Sequence, residues 1–72
     1  MDTILDYSKQ YLTKLPNLPQ TVQELTCRFN KLQFLPDLPN SLKELKCGYN
    51  QIQELQNLPH ALTLLDCSNN KL

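Results

Sequence analysis

The constraint that governs everything else in this chain is an internal period: shifted by 20 residues, the sequence aligns with itself over most of its length. The units are LPNLPQTVQELTCRFNKLQF (15–34), LPDLPNSLKELKCGYNQIQE (35–54) and LQNLPHALTLLDCSNNKL (55–72). Leu15, Leu35 and Leu55 share a column, as do Leu18, Leu38 and Leu58; Pro19, Pro39 and Pro59; Val22, Leu42 and Leu62; and Leu25, Leu45 and Leu65. Cys27, Cys47 and Cys67 form another, followed by Asn30, Asn50 and Asn70 and then by Leu32, Ile52 and Leu72. One step further back, Leu5, Tyr7, Gln10 and Leu12 fall under the Leu, Cys, Asn and Leu columns, so residues 1–14 read as a partial N-terminal capping repeat. With 72 residues the chain has room for one domain, 1–72, and not for two.

Each unit carries L-x-x-L-x-C-x-x-N-x-L, preceded by a Leu-Pro-x-Leu-Pro frame. This pattern resembles the leucine-rich-repeat signature. The short unit with its L-P-x-L-P frame is similar to the bacterial class of leucine-rich repeats found in secreted effectors that act inside host cells. Cys- and Asn-rich versions of the unit also resemble the arrays of giant DNA viruses of amoebae. The resemblance covers the whole chain and implies an α/β-type leucine-rich-repeat solenoid that is in practice mostly β. Short parallel β-strands form its concave face, an extended polyproline-II-like convex side closes each turn, and little or no helix is expected. It also implies a protein-binding role; the catalytic ubiquitin-ligase domain that such effectors carry separately has no counterpart in these residues.

The spacing supports the same architecture. Around Leu-x-Cys, alternation sends Leu25 and Cys27 one way and Glu24, Thr26 and Arg28 the other. One such strand per unit, stacked in parallel, places the Leu and Cys columns inside. The chain then bends at Asn30, Asn50 and Asn70, whose amides are expected to satisfy backbone groups left open by the turn, as a ladder of stacked asparagines. Two prolines in each of the first two return segments and one in the third exclude an ordinary helix there and favour extended backbone. Stacking supplies the stability, so the ends are the weak points. Ile4, Leu5, Tyr7, Tyr11 and Leu12 suit the shielding of the first full unit. Leu72 falls midway through a unit, and this end is expected to be covered by another molecule or copy, or to continue a longer array.

The residues that suggest chemistry mostly have structural explanations. The three cysteines form no C-x-x-C pair and lie in a core column, where they act as small apolar residues. Neighbouring strands are about 4.8 Å apart, so geometry does not forbid a disulfide, but an odd number of stacked, parallel thiols favours reduced cysteines. His60 lies on the return segment, away from Asp66 and Ser68 on the strand side, so no triad is expected. No metal site, cofactor or phosphate loop is expected, and the one glycine, Gly48, reads as the removal of a side chain from an outward column.

The variable outward positions are the candidates for recognition: Glu24, Thr26, Arg28 and Phe29, then Glu44, Lys46 and Tyr49, then Leu64 and Asp66, with Ser68 and Asn69 completing the third unit. Phe29 and Tyr49 fall in adjacent units, either as interface anchors beside Arg28 or folded down over the asparagines. Leu64 interrupts a Glu column, as part of a binding patch or as a contact with whatever covers the C-terminal end. Seven basic residues balance seven acidic ones without a basic run, which argues against nucleic acid. No apolar run approaches a membrane span, and MDTILDYSKQ lacks the pattern of a signal peptide. The expectation is a non-enzymatic protein-binding module in a reducing, cytoplasm-like setting, such as a host cytoplasm or a virion. The alternative is a small assembly subunit that stacks through its C-terminal edge, for example in a viral particle.

Overall fold

The computed structural model describes residues 3–72. Four three-residue strands, β1 (Ile4–Asp6), β2 (Glu24–Thr26), β3 (Glu44–Lys46) and β4 (Leu64–Asp66), pair in parallel as one sheet in chain order. Among the described residues there is no helix. Leu5, Leu25, Leu45 and Leu65 stand opposite one another, so every pairing follows the sequence period. A slip of one residue would turn the central Leu of each strand to solvent, which is why the register is so strongly specified.

The pairing outlasts the strands. Cys27 N–H donates to Lys46 O at 2.8 Å and Phe29 N–H to Gly48 O at 3.1 Å; Cys47 and Tyr49 repeat this to Asp66 and Ser68 at 2.8 and 3.0 Å. Beyond the bend, Lys31, Gln51 and Lys71 donate to Leu12, Leu32 and Ile52. The N-terminal segment joins in fully, since β1 pairs with β2 and Tyr7 N–H reaches Thr26 O at 2.8 Å.

The inner side of the sheet forms the core. Leu15, Val22, Leu25, Cys27, Leu32, Leu42, Leu45, Cys47 and Ile52 are buried in one cluster. Burial falls away in the last unit: Leu65 is 38% exposed and Leu72 61%, where Leu25, Leu45, Leu32 and Ile52 in the same columns are sealed. All three thiols are free, with Cys67 the least enclosed.

Asparagine side chains tie the units together. The Asn50 amide donates to Cys27 O of the preceding unit at 2.9 Å and to Cys47 O and Gly48 O of its own at 3.1 and 3.2 Å, while its Oδ1 accepts from Leu32 N–H at 3.1 Å. Asn70 repeats the set on Cys47 O, Cys67 O, Ser68 O and Ile52 N–H. Asn30 donates to Tyr7 O, Cys27 O and Arg28 O, and accepts from both Gln10 and Leu12 N–H. The ladder therefore runs from each side chain to the backbone of the unit before it rather than from one asparagine to the next.

The return segments are less uniform than a continuous extended stretch. A tight turn closes over the second proline of each frame, with Val22, Leu42 and Leu62 N–H donating to Pro19, Pro39 and Pro59 O at 3.4, 3.1 and 3.2 Å. In the third unit Gln56 stands where the others have Pro16 and Pro36, and the next residue, Asn57, adopts φ 54°. That segment takes a bend the other two lack, at an asparagine, which tolerates left-handed φ better than most residues.

Asn50→Ala is expected to leave Leu32 N–H without a partner, at about 1–3 kcal/mol when buried, and to take one of two donors from three carbonyls, since Asn30 still reaches Cys27 O, Asn70 still reaches Cys47 O and Phe29 N–H still reaches Gly48 O. A domain of this size has only about 3–5 kcal/mol in reserve, so melts followed by circular dichroism should show a marked loss of stability, with Asn70→Ala milder because that residue is half-exposed.

Burial, with the neighbouring thiol adding to it, pushes Cys27 from 9.0 up to about 12. Cys47 rises equally, from burial and then from Cys67 and Asp66. Folding thus raises both values, so their contribution to stability is intact below the unfolded pKa and is lost as pH climbs from about 9 towards about 12. Denaturant melts across that window should show the loss, replacement of Cys27 and Cys47 by Ala should flatten it, and a disulfide reagent should modify Cys67 well before the other two.

Candidate functional site

Because register follows the period, outward side chains fall into rows across the sheet. Ile4, Glu24, Glu44 and Leu64 make the first; Asp6, Thr26, Lys46 and Asp66 the second. Beyond the strand ends come Ser8, Arg28, Gly48 and Ser68, then Lys9, Phe29, Tyr49 and Asn69, at the same spacing. Glu24 and Glu44 sit side by side, an arrangement that like-charge repulsion disfavours and that core packing does not require. Leu64 extends the same row and is 41% exposed. Glu24 and Glu44 thus stand together where the strands begin, while the cations Lys9, Arg28 and Lys46 mix with Asp6 and Asp66 where they end.

The sharpest feature lies where the strands end. Phe29 and Tyr49 stack with ring centroids 4.5 Å apart and planes 11° apart. Both remain 43% exposed. Arg28 lies across them, its Cζ 5.3 Å from the Phe29 centroid and 5.7 Å from that of Tyr49, and Lys9 Nζ approaches the other side of Phe29 at 5.7 Å. The two rings therefore form a common platform on the surface beside Arg28.

That platform is built on unfavourable backbone. Lys9, Phe29, Tyr49 and Asn69 all take left-handed φ, at 60°, 59°, 58° and 57°. The recurrence shows that the turn itself imposes the conformation. Asn accepts it readily, whereas a bulky side chain costs about 1–2 kcal/mol. Ring stacking offsets about 0.5–1.5 kcal/mol of this, so fold stability alone gives no strong preference for aromatics at these two positions. Backbone strain held in place by its surroundings is common at functional sites.

Gly48 does more than leave an outward position empty. It is buried, because Arg28 and Ser68 close over it. A Cβ added there would sit 3.3 Å from Ser68 O and Oγ and 3.7 Å from Arg28 Nε. The missing side chain is the seat on which the arginine lies.

Asp66 and Ser68 do meet, through Ser68 Oγ donating to Asp66 Oδ1 at 2.8 Å and Ser68 N–H at 3.2 Å. His60 stands exposed on the return segment and takes no part in that pair. The Ser68 bonds, helped by the Arg28 and Lys46 charges, hold the Asp66 carboxyl below its ordinary range, which makes it a poor base. Asp6 is lowered in the same way by Ser8. This Asp-x-Ser device recurs at 6/8 and 66/68, and the matching spacing in sequence was its only sign.

Among the described residues no cluster of three His, Cys, Asp or Glu side chains is placed to hold a metal ion, and no helix is long and apolar enough to cross a membrane. The surface depressions lie on the Leu-Pro side, the better formed of them between Phe34, Pro36, Asp37 and Glu54. No family model matches the chain, and no curated protein does.

The strain and the stack separate in a simple pair of variants. Phe29→Ala removes the stacked ring but keeps the left-handed penalty, whereas Phe29→Gly removes both. Thermal or urea melts should therefore find the Gly variant more stable by about 1 kcal/mol, reversing the usual order of the two residues.

Proposed function

We propose that this chain is a leucine-rich-repeat solenoid, of the kind found in secreted bacterial effectors and giant viruses, that binds a protein partner through its concave strand face and has no catalysis of its own. The observation that carries this reading is the half-exposed platform of Phe29 and Tyr49 with Arg28 across it, two aromatics at a left-handed turn position that Lys9 and Asn69 fill in the other units. Aromatic and Arg side chains held rigidly on a surface are what interface hot spots are made of. Around them, Thr26, Glu24, Glu44, Lys46, Leu64 and Asp66 supply a polar rim of mixed charge. Reduced thiols buried in the core suit a reducing, cytoplasm-like compartment.

A second reading, assembly by stacking of copies, is favoured by one observation. Leu65 is 38% exposed where Leu25 and Leu45 in its column are buried. Beside it, β4 presents an unpaired strand edge, which invites another strand.

Selection from a random-sequence peptide display library, followed by amide-shift mapping of the selected peptides, tests the first reading, and light scattering across a concentration series tests the second. Binding at the rows around Thr26, Arg28 and Tyr49 to a chain of constant, single-copy mass is the expected result. Peptides that map only to the Leu-Pro side would defeat the proposal, and a mass rising to defined multiples would favour stacking.

A further inference from the structure

Resting on the reading of this face as a protein-binding surface, we propose that Arg28 anchors a carboxylate of the partner, an Asp or Glu side chain flanked by an apolar residue that covers the Phe29 and Tyr49 rings. Three observations converge on that chemistry.

The first is how the arginine is held. Its Nε is buried and has no hydrogen-bond partner. Gly48 forms the floor beneath it, Ser68 closes the far side, and the two rings flank the guanidinium. The side chain is therefore fixed by packing rather than by an acid. With Nε covered, the terminal nitrogens are the part left to pair with a ligand, and their planar fork matches a carboxylate approaching end-on.

The second is local charge. Lys9, Arg28 and Lys46 gather around the platform. Two acids share these rows, Asp6 and Asp66, and each is engaged by the serine two residues on, Asp6 by Ser8 N–H and Asp66 by the N–H and Oγ of Ser68, so three cations face two acids. One further negative charge would complement the cluster. A doubly charged phosphate would meet Asp66, and further along the strands Glu24 and Glu44, at greater cost.

The third is the rings themselves. They are half-exposed and parallel, so an aliphatic neighbour of the acid gains contact area against a surface that is already ordered. Carboxylate and apolar neighbour together define the partner motif: an acidic residue beside a leucine-like one.

The test uses the full chain and three synthetic peptides that differ at one position: Asp between leucines, the same with Asn, and the same with phosphoserine. The Asp peptide is expected to move the Arg28 Nε–Hε and Tyr49 ring resonances and to bind about tenfold to a hundredfold more tightly than the Asn peptide. Arg28→Gln should abolish that preference, and Arg28→Lys, which keeps the charge but loses the fork, should retain only part of it. Unchanged amide spectra of both variants would certify the fold. Equal binding of the Asp and Asn peptides, or a preference that survives Arg28→Gln, would overturn the carboxylate anchor. The broader reading would stand in that case if library-selected peptides still map to the strand face, and would fall with it if they do not. Tighter binding of the phosphoserine peptide would replace the carboxylate with a phosphate and overturn the proposal as stated.

Discussion

The fold depends on a single recurring interaction, the asparagine amide that joins the backbone of one unit to that of the next. Strands of three residues provide too few ladder bonds to hold neighbouring units in register, and the bend that follows each strand leaves carbonyls facing inward. One side chain solves both problems. At Asn50 a carbonyl of the preceding unit, two carbonyls of its own unit and an N–H of the preceding unit all converge on four atoms' worth of amide. Only a side-chain amide, whose two N–H groups are shared among three carbonyls while its oxygen accepts an N–H, can do so on a stem of this length. The first unit has Gln10 in that column, and its N–H is itself received by Asn30.

With register secured from inside, the outer positions are released from the work of holding the fold together. The strand rows vary in charge and size while the Leu and Cys columns barely change. The turn that precedes each asparagine is left-handed whatever residue occupies it, and Lys9, Phe29, Tyr49 and Asn69 are four different answers to one backbone demand. The two aromatics are the least comfortable of the four. Their stacking explains how they are tolerated and leaves open a role for their faces at the surface.

Much of this was legible in sequence because the period converts position into depth. Leu25, Cys27, Leu32 and their counterparts could be assigned to the interior, and Asn30, Asn50 and Asn70 to the bends, from column identity alone. What escaped were contacts made between columns. Arg28 lies over Gly48 of the next unit, which depends on a side-chain direction that spacing does not encode. The turn over the second proline of each frame hides behind a motif that reads equally well as extended chain, and the left-handed bend at Asn57 appears in one unit of three, so the period does not predict it. The exposure of Leu65 follows from the third dimension as well, since its column predicts burial and only the lack of a following unit in this structure uncovers it.

A body measuring 29 × 22 × 16 Å offers little to wrap around a ligand, so the protein binding proposed for this chain calls for a surface that is ordered in advance. Each side chain frozen on binding costs about 0.5–1.5 kcal/mol, and a shallow face has little buried area with which to offset it. Phe29 and Tyr49 each have few rotatable bonds and are braced against one another. Arg28 would ordinarily be the most expensive residue to immobilise, yet here it is immobilised by the glycine beneath it and the rings beside it before any partner arrives. Tolerated strain at the aromatics and an unpaired Nε at the arginine are therefore two costs met during folding, and they leave a small, rigid surface with less entropy to lose when it is covered.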